Sequence, residues 1–302
     1  MAHRHLFIAA ACAAALVPCL LSQKPEVKRP AIVGVAHITL KTNDLNAARE
    51  FYGRYLGFEE AGVLVGSGIA FKVNDHQYIE VGDTLMGDED RLDHVAFETA
   101  DARQLREYLA ARGVKVPADL KPDAGGDYSF TTEDPEGHLI EFVEYRKSSL
   151  RGRSFGQHLP KSRISERIIH CGFTIQDPDA SDRFYSDLLG FHATWHGGMT
   201  DTKTDWVDMR VPNGPDWLEY MLNQPHPSVK TRGVMNHLAL GVPDVKEAYE
   251  ILQKRGMKID APPKIGRDGK WQLNLYDANL TRVELMEPKP VQPPCCSPFL
   301  DK

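Results

Sequence analysis

The chain has 302 residues, 42% hydrophobic and 26% charged, enough for two domains that each bury a core of their own. A formal charge of −6 leaves no basic surface for nucleic acid, so no partner of that class is expected. Five cysteines, of which Cys12 and Cys19 fall in the first 20 residues, give no disulfide framework, so stability must come from packed cores.

The chain opens with a short basic stretch, Met1 to His5, followed by an apolar run from Leu6 to Leu21. This pattern reads as a secretory signal peptide over residues 1–23, which implies export to a periplasm or the extracellular space. The run is short for a spanning helix and Pro18 interrupts it, so no stable membrane span is expected in the mature form.

From residue 35 onward the sequence repeats itself. VAHITLKTNDLNAAREFYGRYLGF (35–58) aligns with IIHCGFTIQDPDASDRFYSDLLGF (168–191), placing His37 on His170 and Phe51-Tyr52 on Phe184-Tyr185. LDHVAFETADARQLREYLAARGVKV (92–116) aligns with MNHLALGVPDVKEAYEILQKRGMKI (235–259), placing His94 on His237. Each aligned segment begins with an apolar strand bearing a His, then an Asp that can cap a helix. An amphipathic helix follows, on Ala47, Phe51 and Tyr55 in one module and Leu105, Tyr108 and Leu109 in the next. Gly57, Gly113, Gly190 or Gly256 then ends it, as a left-handed cap requires.

Three more strands complete each module, expected near 60–65, 69–74 and 77–82 in the first and near 114–118, 127–132 and 138–144 in the second. The fold class is therefore α+β, with the order βαβββ four times over and the modules paired into two domains, 31–146 and 164–290. The polar, basic segment 147–163 reads as a linker. The Pro-rich end 291–302, with Cys295 and Cys296, reads as a disordered tail in which the cysteine pair has no neighbouring ligands.

The last strand of every module carries a Glu: Glu80, Glu141, Glu219 and Glu284, each 43 to 49 residues after its His. A single His in an apolar strand is most often a hydrogen-bonded core residue, and a single strand Glu most often faces water. Four such pairs at equivalent positions change that weighing, because a buried carboxylate must be neutralised. Two imidazoles and two carboxylates meeting at one point make a site for a divalent cation, so up to two ions per chain are expected, from among Zn, Ni, Co, Mn and Fe(II).

The phrases FYGRYLGF, FYSDLLGF and DPEGHLIEF, with this module order, resemble the vicinal oxygen chelate superfamily of glyoxalase I, methylmalonyl-coenzyme A epimerase and extradiol dioxygenases. The resemblance covers nearly all the chain after residue 30 and implies two cupped mixed sheets. It also implies a ligand set His37, Glu80, His94, Glu141 in the first domain and His170, Glu219, His237, Glu284 in the second. In the glyoxalase pattern the metal acts as a Lewis acid on an enediolate, and a ligand Glu moves the proton. That makes Glu141 and Glu284 the candidate catalytic residues.

The resemblance thus points to a metal-dependent lyase or isomerase acting on a small α-hydroxy carbonyl. A Fe(II) ring-cleaving dioxygenase is the alternative, since such enzymes use two His and one Glu. They also carry a Tyr three residues before the Asp-Pro of the last module. This chain has Thr131 and Asn274 there, and its second Asp-Pro has become Asp277-Ala278. A binding or resistance protein is a third reading, opposed by the intact ligand sets. Weaker candidates for substrate contact are Arg282, Trp217, Tyr78, Thr39 and Thr174, each on the same strand face as a ligand.

Overall fold

Residues 27–64, 68–224, 228 and 235–300 are described in a computed structural model, so the expected signal peptide lies outside the described residues. Strand β1 (Ile32–Thr42) is buried along almost its whole length because it runs through the middle of a sheet. The other strands of that sheet are β2 (Glu59–Glu60), β3 (Ile69–Lys72), β4 (Tyr78–Asp83), β5 (Leu92–Thr99), β6 (Tyr128–Glu133) and β7 (Leu139–Glu144). Their order is β2-β3-β4-β1-β5-β7-β6.

The second sheet holds β8 (Arg167–Thr174), β9 (His192–Gly197), β10 (Trp206–Arg210), β11 (Trp217–Met221), β12 (His237–Gly241), β13 (Lys264–Ile265), β14 (Trp271–Tyr276) and β15 (Arg282–Met286). It is ordered β13-β14-β15-β12-β8-β11-β10-β9. In both sheets the first strands of two modules pair antiparallel at the centre, and each is flanked by its own last strand in parallel. The mixed α+β architecture of two paired-module sheets is as expected.

The first sheet has one strand fewer than the repeat implied. Residues 114–118 form no strand. Val114 N turns back to Leu109 O at 3.1 Å, and Pro117 has no N–H for a ladder. A side chain holds the segment instead, Thr132 Oγ1 donating to Lys115 O at 2.9 Å. The strand expected near 60–65 is reduced to Glu59–Glu60.

The four expected helices form, each with its Asp as N-cap: Asp44, Asp101, Asp177 and Asp244 accept backbone N–H bonds. The four terminating glycines all have φ between +79° and +88°. Two helices widen partway along. Leu45–Ala48 continues as a π-helix over Arg49–Tyr55, and Pro178–Asp182 continues as one over Arg183–Leu188. The wider turn buries both members of each Phe-Tyr pair, Phe51 with Tyr52 and Phe184 with Tyr185.

Those tyrosines tie the two halves together. Tyr52 donates to Asp277 at 3.1 Å, and Tyr185 donates to Asp134 at 2.9 Å. The largest apolar cluster likewise runs through both halves, from Ile32 and Phe97 to Phe191 and Leu285.

Two expectations about connecting chain need correction. Segment 147–163 is no free tether: it carries a helical turn, Leu150–Arg153, with Arg151 buried against the first domain. The tail 291–300 is packed rather than disordered. Val291 N, Cys295 N and Leu300 N each bond a backbone carbonyl of the second domain, and Phe299 stacks on Trp195. Cys295 and Cys296 are joined to each other and lie beside Asp201. Among the described residues no helix is long and apolar enough to cross a membrane.

Candidate metal centres

Strand register brings the ligands together. In all four modules the His pairs with the residue two before its Glu: His37 with Tyr78, His94 with Leu139, His170 with Trp217 and His237 with Arg282. Two positions along a strand return to the same face, so each Glu lies beside its His. The antiparallel central pairs then set Thr39 opposite His94 and Gly172 opposite His237, which merges two half-sites into one.

In the first domain Glu141 Oε2 lies 2.9 Å from His94 Nε2 and 3.2 Å from His37 Nε2. The two Nε2 atoms are 3.4 Å apart, and Glu80 Oε2 is 3.9 Å from His37 Nε2. In the second domain His170 Nε2 and His237 Nε2 are 3.1 Å apart. Glu219 Oε2 is 3.3 Å from His237 Nε2, and Glu284 Oε2 is 3.6 Å from both imidazoles. Ligands bound at roughly 2.1 Å sit about 3.0 Å apart at right angles and about 3.4 Å apart in a tetrahedron. The donor atoms therefore already have the spacing of a coordination shell, and each domain holds a candidate divalent-metal site.

The charges of the two centres differ. Burial alone would lower the His94 pKa, but hydrogen bonds to Asp93 and Glu141 carry it up to about 9, so an arriving ion must displace a proton from that ring. Burial pushes Glu141 upward, yet His37 and His94 hold it well below the usual carboxylate range. Burial drives His170 well below the normal imidazole value, with His237 and Lys270 adding to the effect. A low-pKa imidazole is a free ligand at neutral pH. His237 Nδ1 lies 3.0 Å from Met235 O, which would accept a proton from it, and 2.7 Å from Arg282 Nη2, which would donate one to it, so the two contacts call for opposite ring tautomers.

Two imidazoles and one carboxylate thus group closely in each domain, His37 and His94 with Glu141 and His170 and His237 with Glu219. Glu284 lies 3.6 Å from both of its imidazoles, while Glu80 stands 3.9 Å from His37 and bonds Arg151. The weaker candidates divide. Arg282 lines a 320 Å³ cavity with Glu219 and Glu284, together with Trp195, Met199, Trp206 and Lys264. Trp217 packs on His170, with ring centroids 4.9 Å apart, and faces an adjoining cavity shared with Lys270 and Phe299. Thr39 Oγ1 touches the first centre, 3.4 Å from Glu80 Oε2 and 3.2 Å from His94 Nε2.

Thr174 and Tyr78 are corrections. Thr174 is fully buried and donates to Asn236 at 3.3 Å, and Asn236 in turn donates to Asp90 of the first domain at 2.6 Å, so Thr174 serves the seam between the domains. Tyr78 is also fully buried, its phenol 3.3 Å from Ser154 Oγ and its ring beside Arg151, so it packs where a substrate contact was expected.

Reading the repeat alone missed three participants. Arg151, in the presumed linker, bonds Glu80 directly. Asp208 pairs with Glu219 across β10 and β11 and lines both second-domain cavities. Burial and the nearby Glu219 raise its pKa well above the ordinary value. Gly172 makes room for the His237 ring; the shift that puts His37 on His170 also puts Thr39 on Gly172, so this signal was present in the sequence.

Paired modules whose first and last strands bring imidazoles and carboxylates together at the middle of each sheet define a metal-chelating class of α+β protein. The chain belongs to the Glyoxalase/Bleomycin resistance protein/Dioxygenase superfamily, whose profile matches residues 34–142 and 167–285. It is 28% identical over 168 residues to an iron-dependent extradiol dioxygenase of Rhodococcus jostii (strain RHA1), covering 53% of this chain and 55% of the relative. It is 29% identical over 97 residues to glyoxalase I of Saccharomyces cerevisiae, covering 32% of this chain and 27% of that one. The matches thus span about half, or less, of those relatives' lengths.

Among solved structures the chain resembles the 2,3-dioxygenase LapB from Pseudomonas sp. KL28, with a TM-score of 0.67 at 17% identity over 88% of this chain and 97% of that one. It also resembles the Mn(II)-bound glyoxalase from Novosphingobium aromaticivorans, with a TM-score of 0.66 at 19% identity over 85% and 83%. These likenesses establish the fold. Members of the superfamily include metal-dependent enzymes, among them that iron-dependent dioxygenase and that Mn(II)-bound glyoxalase.

Proposed function

We propose that the second domain carries a metal-dependent lyase or isomerase of the glyoxalase kind, acting on a small α-hydroxy carbonyl or related oxygen-chelating substrate. The observation that carries this reading is that Glu219 and Glu284, grouped with the buried His170 and His237, line a 320 Å³ cavity. A divalent ion held there would draw charge from the substrate oxygens and ease removal of the neighbouring proton.

The chain's own residues account for the rest. Glu284 takes the proton from the carbon beside the carbonyl and returns it to the adjacent carbon, an isomerisation with no net redox change. Arg282 and Lys264 give the cavity a cationic side for an anionic substituent, while Trp195, Met199 and Trp206 form its apolar wall. Metal-loaded protein incubated with α-hydroxy carbonyls in deuterated water should exchange the α-proton. Glu284→Gln should lose that exchange by about 10²- to 10⁴-fold. No exchange across a broad panel would refute the proposal.

A second reading has one specific support. His170, Glu219 and His237 form a compact grouping of two His and one carboxylate, the type used by Fe(II) oxygenases. It would show itself as oxygen uptake with Fe(II) and catechols, abolished by His237→Ala. Export is part of the same proposal, supported by the basic start and apolar run at residues 1–21. N-terminal sequencing of secreted or periplasmic protein would test it, and a mature chain still starting at Met1 would refute it.

A further inference from the structure

One face of the second sheet borders two cavities. Strand alternation puts Asp208 and Arg210 of β10 on that face with Trp217 and Glu219 of β11, Asp208 pairing with Glu219 and Arg210 with Trp217. Glu219 and Glu284 line the 320 Å³ cavity. Arg210, Trp217 and Lys270 line a neighbouring one of 440 Å³, where Phe299 and three prolines supply an apolar wall. Asp208 lines both, so a single molecule could occupy the two together.

Two charged side chains at the 440 Å³ cavity are buried yet short of partners. Asp208 is 5% exposed, and among the described residues its carboxylate accepts no hydrogen bond. Lys270 is also 5% exposed. Its ammonium has Asp268 Oδ2 at 3.5 Å, Met286 Sδ at 4.0 Å and the ring centroids of Trp217 and Phe299 at 5.0 Å and 4.6 Å. Hydrogen bonds from an ammonium to a carboxylate close to about 2.7–2.9 Å, so its donors are not filled. Among the described residues no ion pair joins Lys270 to Asp208. The fold itself does not ask for a carboxylate here, since Ala70 stands opposite Glu80 where Asp208 stands opposite Glu219. Buried charged groups left without hydrogen bonds are unfavourable, so this pair calls for a ligand that both donates and accepts.

We infer that the 440 Å³ cavity is a subsite for a neutral polyhydroxylated ring of sugar type, the far part of a substrate whose α-hydroxy carbonyl reaches the adjacent centre. A hydroxyl accepts from Lys270 and donates to Asp208, because it can do both. An anion there would meet Asp208 and Asp268, and a cation would meet Lys270 and Arg210, so an ion of either sign is opposed. The volume falls in the range of small-molecule sites, roughly 300–1,000 Å³. The inference rests on the reaction proposed above and narrows its substrate to a sugar-type α-hydroxy carbonyl.

Saturation-transfer NMR on the full chain loaded with Zn(II) tests the subsite without turnover. The probes are the methyl glycosides of glucose, galactose and xylose, which carry hydroxylated rings but no carbonyl. At least one should bind, and benzoate, an anionic ring of similar size, should not displace it. Lys270→Met and Asp208→Leu should each weaken that glycoside by about 10-fold or more. Binding of none of the three, displacement by benzoate, or unchanged affinity in either variant would overturn the inference. If the variants do not fold, the comparison of glycosides with benzoate on the wild-type chain decides it alone. Exchange of the α-proton without glycoside binding would defeat this inference and leave the proposed reaction standing; glycoside binding without exchange would do the reverse.

Discussion

Gly172→Ala is the smallest change that should dismantle the second centre while sparing the first. A Cβ at residue 172 would lie 2.0 Å from His237 Cε1 and 2.2 Å from its Nδ1. Carbon atoms in contact need about 3.5 Å, so the ring would have to retreat by about 1.5 Å. The strand ladder prevents the backbone from yielding easily, because Gly172 and its neighbour Cys171 pair directly with His237 and Leu238. Metal bonds tolerate only about 0.2 Å, so the retreat removes His237 from the coordination shell. Losing a hydrogen-bonded partner of a ligand already costs about 10- to 100-fold in affinity, and losing the ligand should cost at least about 100-fold, or about 2.8 kcal/mol.

Competition with a chromophoric chelator reads this directly. The variant should keep one tight ion per chain and hold the second weakly. Thr39→Ala is the matched control, since a Cβ is already accommodated opposite His94, and it should leave the affinity of the second centre unchanged. Two ions bound to Gly172→Ala with wild-type affinity would refute the claim that His237 is confined by the missing side chain.

Other perturbations probe the seam, the ions and the tail. Tyr52→Phe and Tyr185→Phe each delete one buried hydroxyl bond between the halves, worth about 1–2 kcal/mol, and calorimetry should show a drop of a few degrees in Tm. An unchanged Tm in both would mean those bonds contribute nothing to holding the halves together. Stripping the metal with a chelator should lower Tm, because an ion at 100 times its Kd stabilises the native state by about 2.7 kcal/mol; a chelator-insensitive melt would count against cation binding. Phe299→Ala removes the ring that stacks on Trp195 and lies 4.6 Å from Lys270 Nζ. KM should rise with kcat little changed if the tail is only a wall of the adjoining cavity, and an equal fall in kcat and kcat/KM would refute that role.

Features repeated four times were legible in the sequence, because each copy tested the others. The His, the capping Asp, the glycine ending the helix and the distant Glu recur at fixed positions, and one geometry satisfies all four copies. Features that depend on a single copy, or on contact between halves, were not legible. Nothing local marks Pro117 as the end of a possible strand rather than a break within one, and the π turns appear only once both members of each Phe-Tyr pair must be buried. The partners of Tyr52 and Tyr185 lie in the opposite half of the chain. Thr174 shares a strand face with His170, but that face extends beyond the centre to the seam with Asn236.

Arg151 marks the sharpest limit. Composition placed it in a linker, because a basic segment rich in Ser and Gly has no periodicity to bury. Its burial comes from the site it meets: a cluster of carboxylates attracts a guanidinium that flat polar chain elsewhere would leave in water. Repetition therefore shows what the two domains must share, and the departures from it, Thr39 against Gly172 and Arg151 on Glu80, show where the surroundings of the two ligand sets differ. The same comparison of shared positions with unshared fillers ranks the next residues to vary. Asp208 stands high among them, because it reaches the second centre from a strand position that pairs with a ligand.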